Sequence, residues 1–119
     1  MNKTIQTLIV SSITILVAFA SSPLSARNAK CLIEISGETF HDLCNFEPGP
    51  KGSFSLSQSR TVSSFLSYAS IISVHIIGPG KAEVRGLTHD GINSRWGEAN
   101  RSTQDGACWR GADFQICAW

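Results

Sequence analysis

Residues 31–44 read Cys31-Leu-Ile-Glu-Ile-Ser-Gly-Glu-Thr-Phe-His-Asp-Leu-Cys44, so that two strand-like runs flank a glycine and a cysteine closes each outer end. Glycine is favoured at the first central position of a type II′ turn, and Gly37-Glu38 is therefore the predicted turn of a β-hairpin. With that turn, Cys31 falls opposite Cys44 at a non-hydrogen-bonded pair, where Cα atoms are about 4.5 Å apart. A disulfide tolerates that separation. The sequence predicts a hairpin with a disulfide across its two strands.

The same register sorts the apolar side chains of this hairpin onto one face. Ile33, Ile35 and Phe40 share the face of the cysteines, and alternation of this kind is typical of a half-buried strand. On the other face Glu34 lies opposite His41, a charged cross-strand pair of the kind that stabilises sheets modestly. We therefore expect the cysteine face to join the core.

A second hairpin is predicted at the C-terminus, where the sequence repeats the pattern. The turn lies within residues 111–113. Cys108 and Cys117 are equidistant from a centre between Ala112 and Asp113, with Trp109 beside Ile116 on the opposite face. Alanine is a poor residue for a primed turn, so the sequence leaves open a longer loop that uses the glycine at its start.

Four cysteines allow three connectivities. Both local pairs, Cys31–Cys44 and Cys108–Cys117, lie symmetrically about a turn, and this is the pairing we expect. Bridges between the first and the last hairpin are the alternative.

Between the hairpins, β signals dominate the chain. Alternating or β-branched runs predict strands over residues 52–57, 65–77 and 81–87, the second entered through a bend near Ala69-Ser70. Residues 88–106 lose the pattern and are predicted to form a long loop. About seven short strands with turn signals between them predict an all-β fold, a small antiparallel barrel or sandwich with two disulfide-bridged hairpins.

The first 26 residues have the features of a cleavable export signal. Lys3 precedes an apolar stretch that runs to Ala20, and small residues fit cleavage after Ala20 or after Ala26. We favour Ala26, which leaves residues 27–119 as a single domain. The apolar run is shorter than a membrane span requires, so we expect no stable membrane insertion after cleavage.

Composition narrows the function classes. An even number of cysteines in a short exported chain predicts structural disulfides rather than metal ligands, and no metal-ligand spacing occurs; we expect neither a metal nor a cofactor. Without Lys3, the chain has nine Lys and Arg residues and nine Asp and Glu residues, so its formal net charge is zero. This neutral balance, with no basic cluster, argues against nucleic acid or an anionic membrane as the main partner.

The chain ends on Gly106-Ala-Cys-Trp and Ile116-Cys-Ala-Trp119. This ending resembles the close of small uncharacterised exported proteins of Gram-negative bacteria that carry two disulfides. The resemblance covers the last 14 residues and, more loosely, the first cysteine hairpin. It implies a periplasmic or secreted location and no particular activity.

The segment 88–106 supplies the candidate binding residues His89, Arg95, Trp96 and Arg101. Tryptophan and arginine are frequent interface anchors, and loops on a rigid scaffold often carry function. In the alternative interpretation, Trp96 folds back as a lid on the small core. The candidates favour a non-enzymatic binding protein whose partner is a protein or an envelope component.

A small hydrolase that uses His89 or His41 with a carboxylate is the second hypothesis. It is the weaker one, because no serine lies in a nucleophile elbow and no free cysteine is expected. We therefore assign no catalytic residue. The discriminating observation is geometric, since a hydrolase needs a histidine, a carboxylate and an oxyanion donor to converge in one cleft.

Overall fold

The computed structural model describes residues 26–119, which form a closed antiparallel barrel of eight strands, each paired with the next and the last with the first. The strands are β1 (Arg27–Ile35), β2 (Glu38–Pro48), β3 (Phe54–Gln58), β4 (Ala69–Gly78), β5 (Lys81–Thr88), β6 (Asn93–Arg101), β7 (Cys108–Arg110) and β8 (Phe114–Ala118), with a 3₁₀ turn at Pro50–Gly52. The predicted all-β fold is confirmed, as a barrel with one strand more than expected. The predicted signal peptide, except its last residue Ala26, lies outside the described residues.

Apolar side chains occupy the interior of the barrel. An eight-stranded barrel is just wide enough for side chains to fill it. The largest fully buried members are Ile33, Leu56, Ile72, Val74, Val84 and Ile116. Because the interior is a packed core, the surfaces that can contact a ligand or partner are the outside of the barrel and its two ends. Residues 26–119 contain no helix that is long and apolar enough to cross a membrane.

We name the two ends of the barrel by the chain segments they carry. The terminal end holds Arg27 and Trp119, together with the β2–β3, β4–β5 and β6–β7 connections. The hairpin end holds the turns of the two disulfide hairpins, the β5–β6 turn and the long β3–β4 connection, residues 59–68.

The first hairpin forms, but its predicted register is wrong by two residues. The turn residues are Ser36 and Gly37, both with positive φ (46° and 80°), which is the type I′ pattern rather than II′. Cys31 therefore lies opposite Asp42, and its disulfide reaches Cys44 diagonally over a Cα–Cα distance of 5.8 Å. The predicted local disulfide is confirmed.

The two-residue shift changes the cross-strand pairs and preserves the faces. Glu34 lies opposite Thr39 and His41 opposite Leu32, so the predicted Glu34–His41 pair is wrong. Side chains alternate with a period of two, so the predicted core residues Ile33, Ile35 and Phe40 still point inward and are buried.

The second hairpin has the predicted register. Cys108 lies directly opposite Cys117 and is bonded to it, with a Cα–Cα distance of 4.0 Å, and Trp109 lies opposite Ile116. Residues 111–113 connect the two strands, and the Gly111 N–H donates to the carbonyl of Phe114 at 2.9 Å, so that this bond encloses Ala112 and Asp113.

The predicted loop over residues 88–106 contains the strand β6 (Asn93–Arg101), so the prediction of a loop is wrong for that part. Its pairing with β5 contains a bulge, since Val84 lies opposite Gly97 while Arg85 lies opposite Arg95. Trp96 is the extra residue, and bulges of this kind re-aim a side chain.

Candidate functional site

The hairpin end carries a shallow depression of about 300 Å³ that contains two of the predicted binding residues, Arg95 and Trp96. Ser94 precedes these two residues on β6, and the other residues that line the depression come from three further segments: Ile35 with Ser36, Tyr68, and Asp113. A neighbouring groove of about 420 Å³ runs between the turns of the two disulfide hairpins and shares Ile35, Ser36 and Asp113 with the depression. The two surfaces are therefore continuous.

The bulge in β6 places Trp96 over the mouth of the barrel, half-buried against the core. Its indole lies on Gly86, where a Cβ atom would be 2.8 Å from Nε1. Its ring centroid is 6.0 Å from that of Phe114 and 6.2 Å from that of Tyr68. This placement matches the lid interpretation, and the side of the ring left uncovered lines the depression.

Gly86 is required for this lid, and we expect Gly86→Ala to lower the free energy of unfolding by about 1–3 kcal/mol, as overpacking does in well-packed interiors. The added methyl would force the Trp96 indole away from the barrel mouth. Urea denaturation followed by tryptophan fluorescence measures the change. Gly106→Ala is the matched control, because a Cβ atom there meets nothing within 4 Å. Equal stability of the two variants would contradict this packing.

Tyr68 is the most exposed aromatic side chain that lines the depression, at 37%. Burial of part of its ring raises the pKa of the phenol, and the nearby carboxylates of Glu38 and Asp113 raise the pKa further. The phenol therefore stays protonated at neutral pH and can donate a hydrogen bond.

Glu38 fixes the position of Tyr68 through the residue before it. The backbone N–H and the hydroxyl of Ser67 each donate to the Glu38 carboxylate at 2.7 Å. These two bonds attach the β3–β4 connection to the first hairpin, so the depression is built on tethered segments.

Arg95 lies on the outer face of β6 and remains largely exposed. Its Nε is 3.5 Å from a carboxylate oxygen of Glu83, which also pairs with Arg85 at 2.8 Å. The ion pair keeps the guanidinium at the edge of the depression. Because the side chain is exposed, the pair contributes little to folding, and a partner can still contact the guanidinium.

His89 is at the same end but outside the depression. It lies in the β5–β6 turn, and its Nε2 is 3.4 Å from the carbonyl oxygen of Leu66 in the β3–β4 connection. This contact links two segments of the hairpin end. His89 remains a predicted binding residue at the periphery of the surface.

The structure places Arg101 apart from the other three candidates, at the terminal end. Its guanidinium lies 4.7 Å from the centre of the Trp109 ring, which is only 2% exposed. Arg27 covers Phe46 in the same way, also at 4.7 Å. Arg101 therefore caps the packed core at that end.

In the described part of the chain, neither His41 nor His89 has a ring nitrogen within 4.0 Å of a carboxylate oxygen. His41 is exposed on the outer face of β2, and the adjacent Asp42 accepts the N–H of Leu43 at 2.7 Å. Asp90, beside His89, accepts the hydroxyl of Thr88, and this bond lowers the pKa of its carboxyl. In residues 26–119, carboxylate oxygens within 4.0 Å of a basic side chain belong to pairs with arginine only.

Tyr68 and Asp113 are site residues that the sequence analysis missed. Tyr68 is the only tyrosine of the chain, and the sequence analysis placed it inside the strand predicted over residues 65–77, whereas the observed strand β4 begins one residue later, at Ala69. Across residues 26–119, no group of three His, Cys, Asp or Glu side chains could hold a metal ion. Comparison with protein-family models, with curated proteins and with solved structures finds no match for this chain.

Proposed function

We propose that this protein is an exported, non-enzymatic binding protein that contacts a protein or envelope component through its hairpin end. One observation carries the proposal. Around a depression at the mouth of a filled barrel, a half-buried tryptophan lies beside an exposed tyrosine and an exposed arginine.

The composition of this surface supports a binding role. Tryptophan, tyrosine and arginine are the residue types most enriched among the anchors of protein interfaces. Tyr68 combines an apolar ring with a protonated hydroxyl, which suits a surface that is partly desolvated on binding. The tether from Ser67 to Glu38 limits the ordering that binding would otherwise require.

Export is supported by the two disulfides and by the signal-like N-terminus. Disulfides persist in the periplasm and outside the cell, and small domains of such compartments depend on them for stability. We therefore propose a periplasmic or secreted location for the protein.

Affinity capture with single variants tests the proposed surface. The mature protein is immobilised and exposed to periplasmic extract, and each captured protein is then titrated against the variants. We expect Tyr68→Ala to weaken binding of the partner by about 2 kcal/mol, as loss of an interface anchor does. Arg95→Ala should weaken it by about 1 kcal/mol, since exposed arginines at an interface contribute less than its buried anchors.

Lys81→Ala is the control, because Lys81 is an exposed cation at the terminal end. Circular dichroism confirms that each variant is folded. A partner whose affinity is unchanged by Tyr68→Ala and Arg95→Ala, or is lowered by Lys81→Ala, would contradict the assignment of binding to the hairpin end.

A further inference from the structure

Building on the proposed binding function, we propose that the depression receives a cationic side chain, a lysine or an arginine, that the partner protein presents. The walls of the depression supply the two features that bind such a group, aromatic ring faces and a carboxylate.

The aromatic wall is formed by Tyr68 and Trp96. Their ring centroids are 6.2 Å apart and their planes are inclined by 42°, so the two rings form a tilted pair rather than a closed stack. A cation within about 6 Å of a ring centroid is attracted by the electrons of the ring face, most strongly for tryptophan. The depression, at about 300 Å³, is at the small end of ligand sites, which suits a single side chain.

Asp113 supplies the opposite, negative wall. It is exposed in the β7–β8 turn, and within residues 26–119 no basic side chain lies within 4.0 Å of its carboxylate. Glu38 adds a second negative charge nearby, although its oxygens are occupied by Ser67. The electrostatic effect of both carboxylates on the pKa of Tyr68 supports their closeness to the aromatic wall.

Arg95 also lines the depression, from the outer face of β6, where its guanidinium is 3.5 Å from the Glu83 carboxylate that Arg85 contacts as well. The carboxylates of Asp113 and Glu38 outnumber this one cation, so the depression keeps an excess of negative charge. An anionic group in the depression would face Asp113 and Glu38 together and would be repelled. A neutral group would remove Asp113 from water without replacing its hydration, which is unfavourable for a charge. A cation is the complement of this surface, since it gains a charge-assisted hydrogen bond from the carboxylate.

NMR titration of the mature protein tests the ligand class. The probes are N-acetyl-arginine amide and N-acetyl-lysine amide, with N-acetyl-norleucine amide as an uncharged probe of similar length. We expect the cationic probes to shift the Trp96 indole N–H resonance saturably and the norleucine probe to produce no saturable shift. Asp113→Asn should weaken binding of the cationic probes about tenfold, the effect of losing one charge-assisted hydrogen bond.

Glu34→Gln is the matched control, because Glu34 is an exposed carboxylate of the adjoining groove that does not line the depression. Its affinity for the cationic probes should equal that of the native protein. Saturable binding of the norleucine probe with equal affinity, no saturable shift of Trp96, or an unchanged affinity in Asp113→Asn would each overturn the proposal.

The titration tests the cationic ligand and the capture experiment tests the binding function, so a negative result in one can be distinguished from a negative result in the other. If Tyr68→Ala releases the partner but the cationic probes do not bind, the binding function stands and the cationic ligand is wrong. If the partner remains bound to both Tyr68→Ala and Arg95→Ala, the proposed function itself is wrong, whatever the probes do.

Discussion

Replacing Cys31 and Cys44 together by alanine is expected to lower the free energy of unfolding by about 2–5 kcal/mol, the usual effect of removing a native disulfide from a small secreted domain. This disulfide joins residues 13 positions apart and crosses from β1 to β2. Both cysteines are fully buried in the core, so the variant also loses sulfur contacts. Urea denaturation followed by circular dichroism measures the loss.

Peptide mapping of the non-reduced native protein is the control for this experiment. It should recover Cys31 joined to Cys44 and Cys108 joined to Cys117, as the structure has them. A peptide that joins the two hairpins, or a double variant within about 0.5 kcal/mol of the native stability, typical of a neutral surface change, would contradict the structural role of this disulfide.

Trp96→Ala is expected to lower the free energy of unfolding by about 3 kcal/mol, the lower end of the range for a buried aromatic, since the ring is half-buried. The variant leaves a cavity between Gly86 and the ring of Phe114. Chemical denaturation followed by circular dichroism measures the effect, because the substitution removes part of the tryptophan fluorescence.

Arg95→Ala is the matched control, because Arg95 directly precedes Trp96 in the chain. Its side chain is exposed, so the substitution should change stability by no more than about 0.5 kcal/mol. An unchanged stability of Trp96→Ala would show that the indole is a free interface anchor and not a lid. If the lid is correct, Tyr68 is the better residue for probing binding, because its loss leaves the barrel mouth covered.

The first hairpin shows how far the sequence predicts this fold. The alternation of apolar and polar residues identified the buried face of β1 and β2. The local disulfide was predicted because both cysteines fall on that same face. Turn chemistry was ambiguous, because Gly37 serves equally as the first residue of a type II′ turn and the second residue of a type I′ turn. A shift of two residues preserves the faces, so hydrophobic patterning could not detect the error.

β6 was missed because its sequence carries no period-two signal. Its inward positions Gly97 and Ala99 are small, Arg101 at its end is charged, and the bulge at Trp96 interrupts the alternation. Which side chains of β6 are buried depends on its pairing with β5 in the sheet, not on its own sequence pattern. The same bulge turns Trp96 towards the core.

The candidate site was predicted in part. Arg95 and Trp96 were predicted from their residue type and their position in a predicted loop. Tyr68 and Asp113 join them only because the barrel closes and brings distant turns to one end. Arg101 is adjacent in sequence and remote in the fold, since an antiparallel strand runs from one end of the barrel to the other. Distance along the sequence therefore does not show which of the candidate residues lie at the same end of the barrel.

If the hairpin end is the binding surface, a bound partner must cover it. Hydrogen–deuterium exchange of the mature protein, alone and saturated with its captured partner, measures this most directly. We predict slower exchange over residues 94–96 and 111–113 in the complex, with unchanged exchange over residues 102–107 at the terminal end. Slower exchange confined to residues 102–107 and the vicinity of Arg101 would contradict the assignment and place the partner at the opposite end of the barrel.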